Sequence, residues 1–405
     1  MSIPGPLDQI LVLDFSRVLA GPFCTMTLAD MGAKVIKVES PSGDDARNMG
    51  PFRNGESLYF ASINRGKKSI IIDLKQNSGR EVAADLCKKA DVIVENYRPG
   101  TMRKFGLDYK TLRDTNPGLI YLSLSGFGHS GPYSDRGAYD VIIQAMSGLM
   151  GITGQEDGLP TRVGASIGDM IPALYGVSSV LAALFQRSKS GEGAWIDLAM
   201  LDSVFALSEN ALARYQVSST DPVPLGNRHP SITPFGSFNT ANGQIIIACG
   251  NDVLWTRLCQ TIDQPQLAKD SRFLTNASRT TNVLELIDLL ENSLSAQTAE
   301  YWLEKLLEAG IPSAMVSRMS DLLVDTHLKQ RNMLLDVKQP DGSIFTAPGS
   351  PLKGDGISAH PGKSSPALGS DTISVLETIL HMQPTDIETL LQEKSILSPQ
   401  TKSSK

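Results

Sequence analysis

Cysteine is scarce. Four residues in 405 (Cys24, Cys87, Cys249, Cys259) cannot staple a scaffold, and none has the paired spacing of a zinc site. They lie in apolar segments and read as reduced core residues of a cytosolic protein. Five histidines (His129, His229, His327, His360, His381) are scattered without partners at ligand spacing, so no metal is expected. Basic charge is not in excess: 37 Lys and Arg against 43 Asp and Glu give a net charge of -6. A nucleic-acid or membrane-surface binder needs a basic face, so neither partner is expected. Any anionic ligand must be held by local basic groups. Long apolar runs are also lacking. The longest, Ile171 to Phe185, is interrupted by Tyr175 and two serines and reads as too short to span a bilayer. The N-terminal MSIPGPLDQ has neither a basic region nor an apolar one, so no signal peptide is expected. These features describe a soluble, cytoplasmic protein.

The chain is long enough for two domains. Ile10–Phe15, Lys34–Val38, Ser69–Asp73, Asp91–Glu95, Leu119–Leu124 and Ala194–Leu198 are short β-branched runs that read as strands. Cys24–Met31, Ser78–Lys89, Tyr139–Leu149 and Met170–Gln186 read as helices between them. The alternation predicts an α/β fold: a Rossmann-like, mainly parallel six-stranded sheet in the large domain, with ligands beyond the strands' carboxyl ends. A helical stretch, Ala199–Val217, leads to a polar, proline-marked linker, Ser218–Pro234. Phe235–Thr240 and Gln244–Cys249 then flank an Ala-Asn-Gly turn as a hairpin. Helices at Asp252–Asp263, Asn276–Leu294, Thr298–Ala309 and Ser320–Leu323, with a strand at Ser313–Val316, complete a smaller α+β domain. The expected division is 1–217 with 330–405 as the large domain and 218–329 as linker and small domain. The last residues, LSPQTKSSK, are polar and read as disordered.

Asp169 sits where the long apolar helix begins. A helix N-terminus favours an ionised carboxylate, and an N-cap is the ordinary use of aspartate there. Gly164 and Gly168 leave it open to a ligand, which a cap does not require. The basic residues Arg65, Lys67, Lys68 and Lys75 flank one strand, either as a solvated basic turn or as a local counter-charge for phosphates. The GFGHSG of Ser125–Pro132 satisfies a dinucleotide-binding pattern, but Pro132, Ser134, Asp135 and Gly137 forbid the helix that pattern needs. It reads as a flexible loop with an exposed His129. The GNRHP turn (Gly226–Pro230) reads either as a plain turn supplied by Gly and Pro or as a place where Arg228 or His229 grips a ligand carboxylate, the distal one where the ligand is a dicarboxylic acid.

VGASIGDM around Asp169 stands in order with VLAGPF (Val18–Phe23), GAKVIKVE (Gly32–Glu39), LYFASINRGKKSIIIDLK (Leu58–Lys75), ENYRPG (Glu95–Gly100), SGFGHSGP and AYD (Ala138–Asp140). Together they resemble the class III coenzyme A-transferase family over most of the chain. The resemblance implies an interlocked homodimer and an enzyme moving CoA from an acyl-CoA, succinyl- or acetyl-CoA, to a small carboxylic or dicarboxylic acid. CoA is then a substrate, and no permanently bound cofactor is expected. Asp169 matches the catalytic nucleophile, which attacks the thioester and must be ionised to do so. Arg17, Ala20, Ile72, Asp73, Leu74, Lys75, Asn96, Tyr97, Arg98, Lys104, Arg136 and Tyr139 match CoA-contacting positions, and Lys67 and Lys68 lie beside them. Asp140 is either a supporting carboxylate or a helix cap. The related acyl-CoA racemases carry a histidine where this chain has Tyr139, so transfer is preferred over racemisation, which needs an acid–base pair. A non-catalytic CoA-binding protein is the other alternative. Leu19 and Ser40 replace a glutamine and an arginine of formyl-CoA transferase, and that enzyme's glycine-rich loop has no counterpart after residue 240. These departures argue against formate and oxalate.

Overall fold

Strands buried on both faces need near-continuous apolar runs, and LVLD, KVIKVE, KSIII and VIVE supply them. The structure, a computed structural model, describes residues 5–354, 361–362 and 364–399. His360, among the scattered histidines, lies outside them. The main sheet runs in the order Ile396–Leu397, Lys68–Ile72, Lys34–Glu39, Leu11–Asp14, Val92–Glu95, Ile120–Ser125, Ala194–Ala199. The six expected strands form it and are all parallel. Period-two alternation divides their side chains between two cores. Leu13, Ile36, Ile70, Ile93 and Tyr121 face the Asn77–Lys89 helix and the C-terminal helices. Val12, Val35, Val92, Ile120 and Leu122 face the Ala20–Asp30 and Ile167–Ser190 helices.

The seventh strand, Ile396–Leu397, pairs antiparallel with Lys68–Ile72. The tail expected to be disordered from Leu397 is thus ordered at its start, because fully buried Ile396 covers an otherwise open sheet edge. Residues 400–405 lie outside the described part. The Ile167–Ser190 helix starts three residues earlier than expected and continues to Ser190. At 24 residues it is long and apolar enough by composition to cross a membrane, contrary to the sequence reading. Its buried face, with Ala173, Val177 and Val180, packs on the sheet and the Ala20–Asp30 helix.

The chain divides into two compact units. The first comprises 1–149, 163–212 and 326–405; the second comprises 150–162 and 213–325. Both expected boundaries therefore shift a few residues earlier, and 150–162 moves out of the large unit. The second unit holds the expected hairpin, Phe235–Asn239 with Gln244–Ala248, joined by Ser313–Ala314. Its core gathers Trp255, Phe273, Leu286, Leu290 and Trp302. The helix expected over Asn276–Leu294 is two helices, broken at Asn282. The Asn282 amide donates to the carbonyls of Ser278 and Arg272, at 2.9 and 3.1 Å, so the side chain competes with the helix for backbone partners.

Candidate active site

Asp169 is the third residue of its helix, not its cap; the cap position is Ser166, which makes no capping bond through its side chain. The orphan amide of Gly168 is instead taken by Asp140, whose Oδ1 accepts it at 2.8 Å. Asp140 opens the Asp140–Met146 helix and is itself held by the Gln144 amide at 2.8 and 3.0 Å. Gln144 Oε1 accepts the Val163 amide at 2.8 Å. The loop before Asp169 is thus latched at both ends to one neighbouring helix. Glycine at 168 is a steric requirement: a Cβ there would lie 2.8 Å from Asp140 Oδ1 and 2.9 Å from its carbonyl oxygen. Asp140 is therefore not the cap of its own helix, a position held by Tyr139, and its carboxylate instead binds the first turn of the Asp169 helix.

This setting reverses the expected electrostatics. Burial, and then the negative charge of Asp140, push the Asp169 carboxyl up to about 7. Desolvation and like charge outweigh the favourable end of the helix. Tyr59, on the Leu58–Asn64 helix, answers to the same charges: burial, then Asp169, Asp44 and Asp140, push its hydroxyl up to about 12. The sequence reading passed over Tyr59; its one signal was Ser57, which caps that helix by accepting the Phe60 amide at 3.0 Å.

Asp169 lines a cleft of about 190 Å³ at the carboxyl ends of the central strands. Arg17, Ala20, Asn96, Tyr97, Arg98, Arg136 and Tyr139 line it too, so the structure brings seven of the twelve expected CoA-contacting residues together with Asp169. Leu19, singled out in the sequence as a departure from formyl-CoA transferase, lines it as well, and Val18, Asp45 and Met200 join them without having been foreseen. Asn96 grips the main chain of Arg17 on both sides: Oδ1 accepts its amide at 2.9 Å and Nδ2 donates to its carbonyl at 2.8 Å. The Arg17 guanidinium pairs with Asp45 at 3.0 Å and lies 5.5 Å from the Tyr97 ring centre. Tyr139 is 73% exposed.

Ile72, Asp73, Leu74, Lys75 and Lys104 do not line this cleft. The Ile72 side chain is core, 1% exposed, which leaves only its main chain for a ligand. Leu74 packs on the same core. Asp73 Oδ1 accepts the Lys75 amide at 3.0 Å, and the Lys75 and Lys104 side chains are exposed. The basic run divides sharply. Arg65 is buried in a two-point pair with Asp30 at 2.7 and 2.9 Å. Lys67 is buried and donates to Asp14, Asn64 Oδ1 and the Pro22 carbonyl. Both are structural, whereas Lys68, like Lys75, keeps an exposed side chain. His129 is not exposed either: its ring lies 5.4 Å from that of Trp195, and its Nε2 is buried without a partner. Arg228 and His229 belong to the second unit. There Arg228 pairs with Glu156, and His229 Nδ1 accepts the Ser231 amide at 3.1 Å.

A helix-borne carboxylate beside phosphate-matching arginines, at the carboxyl edge of a parallel sheet, suits acyl transfer. The sequence profile of CoA-transferase family III matches residues 7–372. The chain belongs to that family and is an enzyme of the CoA-transferase class. It is 42% identical to acetyl-CoA:oxalate CoA-transferase of Acetobacter aceti, over 86% of this chain and 89% of that one. Against succinyl-CoA:mesaconate CoA-transferase of Haloarcula hispanica the identity is 41%, covering 92% and 96%. Among solved structures, a CaiB/BaiF family protein from Brucella suis superposes with a TM-score of 0.82 at 37% identity, covering 93% of this chain and all of that one.

Proposed function

We propose that this enzyme transfers CoA from succinyl-CoA or acetyl-CoA to a small carboxylic or dicarboxylic acid through covalent intermediates on Asp169. A carboxylate oxygen of Asp169 attacks the thioester carbonyl, the C–S bond breaks, and CoA leaves as thiolate with a mixed anhydride behind it. The thiolate then attacks the aspartyl carbonyl, releasing the donor acid and forming an aspartyl-CoA thioester. The acceptor carboxylate attacks that thioester, forming a second anhydride and freeing the thiolate again. Attack of the thiolate on the acceptor's acyl carbonyl yields the new acyl-CoA and restores Asp169. Acyl transfers of modest difficulty replace one hard exchange.

The observation that carries this reading is the position of Asp169 in a cleft with three arginines, its carboxyl poised near neutrality. Arg17, Arg98 and Arg136 suit the phosphates of CoA, since guanidinium groups bind phosphate oxygens in pairs. Ile72–Lys75 and Lys104 would meet CoA outside the cleft. Arg228 and His229, expected to hold the acid's distal carboxylate, belong to the second unit, where Arg228 already pairs with Glu156. Among the described residues the cleft's lining contains no histidine, which weighs against racemisation. A relative named for oxalate at 42% identity keeps oxalate among the acids to be tested, beside the departures at Leu19 and Ser40. The homodimer of the resemblance draws support from uncovered apolar groups on two helices of the first unit: Val141, Ile142 and Met146 on one, Leu174, Tyr175 and Phe185 on the other.

The test is an exchange assay read by mass spectrometry. Succinyl-CoA or acetyl-CoA is supplied with oxalate, formate, malate, glutarate, itaconate, mesaconate or carnitine. A new acyl-CoA that disappears in Asp169→Ala supports the reading and names the acceptor. Deuterium uptake at the α-carbon of the acyl group, without any exchange, would replace it with racemisation.

A further inference from the structure

The GAKVIKVE segment supplies a strand and, so far, nothing to the cleft. Its Lys37 is nevertheless one of the largest fully buried side chains in the molecule. Lys37 Nζ donates to the Ser16 carbonyl at 2.7 Å and pairs with Asp44 Oδ2 at 2.8 Å, both side chains being 1% exposed. The other carboxylate oxygen of Asp44 accepts the amides of Val18 and Ala46, at 3.0 and 2.9 Å. Asp14 Oδ1 accepts the Ser16 amide at 3.0 Å, and its other oxygen binds Lys67 at 2.9 Å. Glu39 Oε2 accepts the Asp44 amide at 2.9 Å, with Arg47 bound to the same carboxylate. With Asn96 holding Arg17 from both sides, the amides and carbonyls of Ser16 and Arg17 and the amide of Val18 are all fixed by side chains.

The held loop is strained. Val18 has φ of 67°, a left-handed backbone that is an outlier for a β-branched residue. Such a conformation persists only where the surroundings over-determine it, and it gathers at functional sites. Here it turns the chain so that Val18, Leu19 and Ala20, where the next helix begins, line the cleft of Asp169. Resting on the CoA-transfer reading, we propose that the buried Lys37–Asp44 pair is a positioning element for acyl-CoA. It holds Val18 in its strained turn and so sets the place of the loop backbone relative to the Asp169 carboxyl. Neither residue touches the substrate. Burial works against the Lys37 charge, but Asp14, Asp44 and Glu39 outweigh it and raise its pKa, so the pair stays charged through the neutral range.

The test uses the full-length enzyme with Lys37→Met and Asp44→Asn, the second keeping the packing if the first folds poorly. Succinyl-CoA is exchanged with labelled succinate, and hydrogen exchange of residues 14–20 is followed with and without free CoA. Expected are a fall in kcat of at least tenfold with KM changed less than threefold, and loop exchange accelerated while the strands keep their protection. CoA should protect the loop in the unsubstituted protein and not in the variants. Lys37→Arg, which keeps the charge, should recover part of the loss. Combining Lys37→Met with Val18→Gly should shrink the penalty of Lys37→Met, because glycine adopts the turn freely. A lowered Tm with kcat and loop exchange unchanged would overturn the proposal, and so would an equal penalty in both backgrounds. If the unsubstituted protein bound CoA without exchanging it, the transfer reading would fail. The loop's protection by CoA would still decide this proposal.

Discussion

At the scale of the residue, the central feature is a carboxyl that burial and the neighbouring Asp140 push up to about 7. As the proposed nucleophile, Asp169 has to be ionised to attack, so kcat/KM should fall as pH drops through about 7. Asp140→Asn removes a negative charge that favours the neutral acid, so the acid limb should move to lower pH by about one unit. A limb that stays in place would show that burial alone sets the titration. Stability carries the same signature. A carboxyl raised in the folded state holds its proton more tightly there than in the unfolded chain, so the folded state loses stability as pH rises from the ordinary carboxylate range to about 7. Asp169→Asn should therefore be more stable than the unsubstituted protein at pH 8, by about 2 kcal/mol. A tenfold change in proton affinity corresponds to about 1.4 kcal/mol, and partial exposure reduces the total. The difference should shrink toward zero as pH falls below about 4, where both states are protonated; urea titration at the two pH values measures it. The place of Asp169 in the cleft was legible in the sequence because its flanks are distinctive. Its electrostatics were not, since Asp140 faces it only after folding. The buried fates of Arg65 and Lys67 were hidden for the same reason: their partners Asp30 and Asp14 are remote in sequence.

At the scale of the element, the site depends on one helix resting against another. Gly168→Ala would drive a methyl group against Asp140 and displace the start of the Asp169 helix. A shift near 1 Å at a nucleophile costs about 100-fold in rate, so kcat should fall on that order while the fold, read by circular dichroism, persists. Retained kcat would mean that the latch is not tight. The six parallel strands were plain from their β-branched runs. Short elements were not: the Leu58–Asn64 helix that carries Tyr59 is too brief to show a period. The two-residue strand Ile396–Leu397 is hidden in a polar tail. Burying Ile396 against the sheet edge implies that Ile396→Ala costs about 2–5 kcal/mol, the range for such large-to-small core changes. Denaturant unfolding should show it, and a cost below about 0.5 kcal/mol would mean the edge is not covered as described.

At the scale of the whole molecule, the parallel sheet sets the cleft. Its carboxyl ends deliver the loops after Leu11–Asp14, Val92–Glu95 and Ile120–Ser125 to one edge, where Arg17, Asn96 and Gly126 meet. A net charge of -6 offers CoA no general attraction, which the proposed function assigns to the arginines of that edge. Raising ionic strength should then weaken acyl-CoA binding through KM while leaving kcat nearly constant, because screening acts on the partly exposed pairs. The assembly is a second question at this scale. A chain of 43.6 kDa with uncovered apolar helices should elute at about twice that mass by light scattering; a monomer would leave those faces unexplained.

The most direct measurement is trapping of the covalent enzyme. Incubating the protein with succinyl-CoA or acetyl-CoA, quenching in acid and weighing the intact chain should reveal an adduct of CoA, which peptide mapping places on Asp169. Asp169→Ala should show none. An active enzyme without an adduct, or with one on another residue, would contradict the assignment of Asp169 as the nucleophile.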